Sequence, residues 1–348
     1  MRALSSRSEF VVALRSIYLD GEASVTSRLR IDVQTDGITL SAFEKELLRT
    51  CTFPARDTEL GSVVVPSRAV TEYVRNEDSQ DLLLAETDLE FELSTGRSRI
   101  ALRTLSLIDW PAVTHLSGSA SFWDETTVRN LGRVMHAVAP DTDSREIFKG
   151  VAVGNGWIVA TDSQRLAAVE AGHLPDEVII VPRLAIRFVL GLSDLSSCEA
   201  RLAPGKATFS AGRLAVTTSL IQGVYPNWRE AIPEGEETGY VEAKREELVI
   251  ALRRLGPIGA YAKNKLVRIQ PKGTEQLLLT SRAPDLGYQE ESISGQTSLK
   301  EIGFRIPSLR ELAENMESEI IRLHVIDPNR AVVTREERFV GLVMPIRL

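Results

Sequence analysis

Cysteine is nearly absent from the chain: Cys51 and Cys198 are the only two among 348 residues. Two isolated thiols exclude a disulfide framework and the clustered spacing of a cysteine metal site. They fit a reducing cytoplasm, which is the expected location. Histidine is scarce too, and His115, His136, His173 and His324 are scattered singly, so no metal is expected. No apolar run approaches the ~20 residues of a membrane-spanning helix. The polar stretch Met1 to Glu9 lacks the apolar region of a signal peptide. Catalytic motifs are missing as well: there is no GxGxxG, P-loop, GxSxG or HExxH. The GNG at Gly154 to Gly156 stands between apolar runs and reads as a hairpin turn. Asp162 is the one tempting carboxylate, and no second acid or histidine stands near it in sequence to shift its pKa. The chain is therefore expected not to be an enzyme and to need no cofactor.

Apolar residues make up 43% of the sequence, enough for real cores, and the length suggests two or three domains. The formal net charge of −7 argues against a nucleic-acid binder, since phosphate contacts need a basic surface. A total says nothing about distribution, however, and the distribution follows from an internal repeat.

Three segments share a strand–turn–strand plan: DGITLSAFEKELLRT (36–50), NGWIVATDSQRLAAVEA (155–171) and EQLLLTSRAPDLGYQEE (275–291). Each alternates apolar residues, then places a small hydroxyl, then charge. The hydroxyls Ser41, Thr161 and Ser281 lie 120 residues apart in both steps. A second mark is a proline after an apolar strand and at a helix start: Pro66, Pro182 and Pro307. A third closes each unit with Pro111, Pro226 and Pro345. A fourth opens each with an amphipathic helix: 8–17, 124–138 and 244–255. Four marks in one order predict three similar domains, 1–118, 119–240 and 241–348. Each would hold two helices packed on antiparallel sheets, an α+β class. The linkers are read in HLSGSAS (115–121) and PEGEETGY (233–240).

Five of the six expected helices place arginine opposite the apolar stripe. In 124–138, Val128, Leu131, Met135 and Val138 share one face, and Arg129, Arg133 and His136 another. The second helix of that unit aligns Arg183 with Arg187. The first unit offers Arg7, Arg15, Arg68 and Arg75. The third offers Arg253 and Arg254, with Lys263 and Lys265 beyond. The sixth helix, 308–316, is the exception, since Glu311 and Glu314 outnumber Arg310. The acids concentrate in strand and loop segments such as AETDLEFEL (85–93) and GYQEE (287–291). One basic helical side can thus coexist with an acidic total.

The residues WIVATDSQRLA, VIIVPR, YPNWREAIP and the terminal VMPIRL together resemble the bacterial DNA sliding clamp, the beta subunit of DNA polymerase III, with this chain as a divergent member. The resemblance is best over residues 145–232 and the last ten, fair across the third unit and weak in the first. It implies a clamp fold of three similar domains and a head-to-tail homodimeric ring whose helices line a hole. Twelve helices ~9 Å apart give a circle about 35 Å across, or about 25 Å once one helix diameter is subtracted. A duplex roughly 20 Å wide would pass. The ring would hold DNA by enclosure, without reading sequence, and confer processivity on DNA polymerase. The chain would be cytoplasmic and nucleoid-associated. The arginines Arg7, Arg15, Arg68, Arg75, Arg129, Arg133, Arg183, Arg187, Arg253 and Arg254 would face DNA.

The resemblance also implies a groove that receives short peptides of polymerase, clamp loader and repair proteins. Carried over by position, it would include Phe148, Thr161, Ser163, Gln164, Arg165, Leu166, Pro226, Val343, Met344, Pro345, Ile346 and Arg347. Leu166, Val343, Met344 and Ile346 would make an apolar floor and the two prolines its walls. Gln164 and Arg165 would donate to peptide carbonyls or carboxylates. Three further groove positions depart from the family pattern: Glu230 and Ala231 replace a basic and a larger aliphatic residue, and Asn264 an aromatic one. Ile258 and the segment 102–108 are expected near the dimer interface. The alternative reading is a non-encircling scaffold or regulatory paralogue that binds replication-protein peptides.

Overall fold

The computed structural model of the chain describes residues 1–18, 27–44, 46–87, 90–108, 110, 119–192 and 198–348. These residues hold 25 strands and six α-helices. The helices are α1 (Arg7–Ile17), α2 (Ser67–Asn76), α3 (Glu125–Val134), α4 (Arg183–Leu190), α5 (Arg245–Gly259) and α6 (Ile306–Glu314). All strand pairings are antiparallel, and two compact units result: 1–128 with 184–220, and 129–183 with 221–348.

In the first unit, an eight-stranded sheet runs in the order Ser119–Trp123, Cys198–Ala203, Lys206–Ala211, Leu214–Ser219, Leu47–Pro54, Gly37–Glu44, Arg28–Gln34, Gly61–Pro66. A five-stranded sheet runs Arg56–Glu59, Arg2–Ser6, Asp81–Glu86, Glu90–Ser94, Arg99–Arg103. Strict alternation drives the packing: Leu29, Ile31 and Val33 are buried while Arg30, Asp32 and Gln34 point away. Phe10, Leu14 and Ile17 of α1 and Val70 and Val74 of α2 join this core. Phe10 meets Phe53 edge-on at 5.6 Å.

The second unit is built on a single run of twelve strands. Its first four are Ile179–Pro182, Gly150–Gly154, Trp157–Thr161 and Arg165–Glu170. Phe339–Val343, Val332–Arg335, Ile320–Val325, Gly239–Lys244, Gly287–Thr297, Gln276–Ala283, Leu266–Pro271 and Ile302–Arg305 follow. Asn155 and Gly156 both take positive φ (50° and 75°), the signature of a type I′ hairpin turn. The GNG stretch is therefore the turn expected. Pro66 directly precedes α2, Pro182 directly precedes α4 and Pro307 lies in the first turn of α6. At α3, the Asp124 carboxylate accepts the Thr127 amide at 2.8 Å and caps the helix. The α5 helix runs past the expected Leu255 to Gly259.

One expectation of the repeat shifts by a residue. Ser41 lines the polar face of its sheet, and Thr161 shares a face with Trp157 and Val159. Ser281 instead turns inward with Leu277, Leu279 and Ala283, and its hydroxyl donates to the Leu266 carbonyl at 2.8 Å. Thr280 takes the outward place. The cause is the longer turn between Pro271 and Gln276, because one added residue flips a strand's faces. Pro111, His115 and the boundary at residue 118 lie outside the described residues.

Candidate functional site

The hairpin turn that follows Thr161 is fixed by its own side chains. The Asp162 carboxylate accepts the amides of Gln164 and Arg165, both at 2.9 Å, and the Arg165 Nε at 3.0 Å. The Thr161 hydroxyl donates to the Arg165 carbonyl at 2.7 Å and accepts the Ser163 amide at 3.1 Å. This leaves Ser163 at φ 71°. Asp162 thus serves as a turn-forming acid, with every bond directed at shaping the loop.

Strand Arg165–Glu170 pairs with Phe339–Val343, setting Arg165 beside Val343 and Leu166 beside Leu342. Leu166 is buried under the turn Trp228–Ala231, in a cluster with Val159, Ala168 and Trp228. The chain then leaves the sheet as a short tail that is held twice. The Met344 amide donates to the Gln164 carbonyl at 2.9 Å, and the Ile346 amide donates to the Gly303 carbonyl at 2.8 Å. Two residues of chain span only ~7 Å. The tail therefore draws the 161–165 turn and the edge strand Ile302–Arg305 together, although they are far apart in strand order. Met344, Pro345 and Ile346 are half-buried, and Gln164, Pro226, Glu230, Ala231 and Arg347 are exposed. Asn227 donates to Glu230 at 2.9 Å. Asn264 stands exposed at φ 58° on the turn Lys263–Lys265.

Two corrections concern the floor and the donors. Leu166 and Val343 are 2% and 1% exposed, so neither side chain lies open as the expected apolar floor. Arg165 is not a free donor, because its guanidinium is held between Asp162 and Glu311 of α6 and is 16% exposed. Arg145, which sequence reading passed over, is the more open cation at 45% exposed. It donates to the Ser163 hydroxyl at 3.1 Å and stacks over Phe148 at 4.5 Å. Its side chain also holds the Asp143 carboxyl at a pKa of about 2. Phe148 meets Tyr225 edge-on at 6.3 Å. Trp157, Trp228 and Arg229 form a further stack, with Arg229 4.5 Å from the Trp228 ring centre. The alternation of arginine and aromatics in DSREIF and YPNWRE was the available signal.

The helix arginines divide into two groups. Arg15, Arg129 and Arg187 are exposed, and so is Arg75. Arg68, Arg253 and Arg254 are paired with Glu72, Glu314 and Glu291, yet each keeps more than half of its side chain exposed. Three others are turned into the structure and are corrected here as DNA-facing groups. Arg7 donates to the carbonyls of Val74 and Arg75 and ties α1 to α2. Arg183 donates to the Val138 carbonyl at 2.7 Å. Arg133, 12% exposed, lies over the Phe339 ring at 4.8 Å and is bound by Glu336, Glu317 and the Asn315 carbonyl. Arg133 stands in the last turn of α3, which ends at Val134. Among the described residues no group of three or more His, Cys, Asp or Glu converges as a metal site requires.

Comparison with known proteins points the same way as the sequence resemblance. Residues 13–114 match the model of the DNA polymerase III beta subunit, N-terminal domain. The beta sliding clamp of Synechocystis is 27% identical, over 92% of this chain and 91% of its own length. The chain is similar over about nine-tenths of its length to bacterial beta sliding clamps. The match to the N-terminal model falls in the first unit, where the sequence resemblance was weakest to the eye. Identities of 22–27% to these relatives place the chain at a distance from them, as the resemblance to a divergent member implied. The fold agrees throughout: the Bacillus subtilis clamp superposes with a TM-score of 0.90 at 18% identity, covering 100% of this chain and 99% of that one. The Pseudomonas aeruginosa clamp gives 0.88 at 23%, covering both chains fully.

Proposed function

We propose that this clamp works as a head-to-tail homodimeric ring of three domains per copy. It encircles duplex DNA and tethers DNA polymerase, clamp loader and repair proteins through the groove at Gln164 and Met344. One observation carries the reading. The last strand of the second repeat, Leu214–Ser219, pairs with Leu47–Pro54 of the first. The last strand of the third, Phe339–Val343, pairs with Arg165–Glu170 of the second. By the same rule the last strand of the first, Arg99–Arg103, should pair with Gly287–Thr297 of a third repeat. Arg99–Arg103 is an edge strand, with a ladder only to Glu90–Ser94 among the described residues. On the side away from Gln276–Ala283, Gly287–Thr297 is paired only at residues 295–297. Each thus offers a free edge, and open edges favour pairing with another chain. The exposed Arg99 and Arg103 on one and Glu290 on the other supply opposite charges. Two such joints close a ring with two-fold symmetry.

The exposed arginines Arg15, Arg75, Arg129 and Arg187, and the three loosely paired ones, would face the duplex. Sedimentation at micromolar concentration tests the ring. The expected species has twice the chain's 38.4 kDa. The double change Arg99→Glu, Arg103→Glu is expected to shift it toward monomer, and adding Glu290→Arg to restore part of the dimer. A wild-type protein that sediments only as monomer overturns the reading.

A further inference from the structure

The third repeat carries a cleft apart from the proposed groove. It holds about 510 Å³ across the strands Leu266–Pro271, Gln276–Ala283 and Gly287–Thr297. Val267, Ile269, Leu277 and Leu279 of these strands are buried, so their neighbours Arg268, Leu278, Thr280 and Arg282 stand on the other face. Register sets the rows: Arg268 beside Thr280, Thr280 beside Glu290, and Arg282 beside Tyr288. Lys263 and Arg282 are exposed and have no ion-pair partner among the described residues. Arg268 shares Glu301 with Gln270 and keeps 41% of its side chain exposed. Between these cations lie the half-exposed Leu266 and Leu278 and the ring of Tyr288, 63% exposed. Glu290 is the one acid in the lining. On the corresponding face of the second repeat, Val159, Leu166 and Ala168 are apolar and covered by Trp228. In the third repeat that face is open and cationic.

We propose that this cleft is a second docking site, for an extended acidic segment of a partner protein. An extended chain alternates its side chains with a period of two, so carboxylates and apolar groups on successive positions would meet the cations and the leucine floor in turn. The proposal rests on the ring reading, in which the sheets face outward and the duplex runs along the helices. That placement makes a peptide, and not DNA, the occupant.

The test is fluorescence anisotropy with a short labelled peptide that alternates Glu with Leu or Thr. Saturable, salt-sensitive binding is expected. It should weaken about ten-fold or more in the variant Lys263→Glu, Arg282→Glu. The same charge change at the exposed Lys206, in the other compact unit, should leave it intact. No binding, equal binding of a peptide with Gln for Glu, or unchanged binding by the double variant overturns the proposal. So does displacement of the peptide by a duplex oligonucleotide. Sedimentation of the same samples separates the two readings. A dimer that ignores the peptide sinks the cleft alone, and a monomer that binds it sinks the ring alone.

Discussion

Replacing Arg133 with alanine removes a guanidinium that the structure ties to the sheet from four directions. Glu336, 9% exposed, is its ion-pair partner and also accepts the amides of Glu317 and Ser318 at 2.6 and 2.7 Å. Burial works against the charged Glu336 carboxyl. The Ser318 and Glu317 amides and the Arg133 charge outweigh it and hold its pKa below the ordinary carboxylate value. Breaking a buried pair from one side leaves an uncompensated charge and costs about 3–5 kcal/mol. The Glu336 amide donors survive the change and still satisfy its carboxylate, so the lower end of that range is expected. Arg68 is the contrast, since it and Glu72 are 54% and 58% exposed. Arg68→Ala should cost no more than about 0.5 kcal/mol. Urea unfolding of both variants and wild type, followed by circular dichroism, measures the difference. Retention on DNA should move the other way, weakening slightly in Arg68→Ala and staying unchanged in folded Arg133→Ala. If Arg133→Ala unfolds like wild type but loses DNA, the side chain faces the duplex and the reasoning fails.

Other predictions follow from single sites. Met344→Ala, at a half-buried position, should weaken a groove-binding peptide in a titration with little loss of stability. Leu166→Ala should instead cost about 2–5 kcal/mol in unfolding, because it empties a buried site. Burial first, and then the Arg165 charge, push the pKa of His136 down to about 4, against the pull of the Arg133 carbonyl. The unfolded chain then binds the extra proton between pH ~6.5 and 4, so stability should fall as pH drops through that window. Chemical unfolding at stepped pH should show this fall in wild type and a smaller one in His136→Gln. Glu336 has a depressed pKa, so its contribution should persist above pH ~4.5 and vanish as pH falls below it. Glu336→Gln should therefore cost stability at neutral pH, and less as pH falls below that range. Trp123 is 1% exposed against Phe209 at 5.0 Å, and Trp123→Ala should cost about 3–5 kcal/mol by the same unfolding assay.

The helices and hairpins were legible because their signals are local. Apolar spacing found α1, α3 and α5, and the strand–proline mark found α2, α4 and α6. Asn155-Gly156 gave its turn type. Pairing between repeats was not legible: nothing in Leu214–Ser219 names Leu47–Pro54 as its neighbour. The site was half legible. The turn Thr161–Arg165 and the tail Met344–Ile346 could be named, but not that Gly303 would hold the tail's far end. Charges misled most where a long side chain has a choice. Arg133 and Arg165 occupy helix-face and loop-tip positions that look solvated, yet Glu336 and Glu311, some 200 and 146 residues away in sequence, reach them. Ser281 shows the limit of a fixed period, since one extra loop residue reversed its face.

The central claim is attachment by enclosure, and topology tests it. The protein is bound to nicked circular plasmid and passed over a sizing column in salt high enough to suppress phosphate contacts. The plasmid is then cut once and the run repeated. The account predicts that the protein travels with the circle and leaves the linear form. Equal retention on both forms, or none on either, would contradict it.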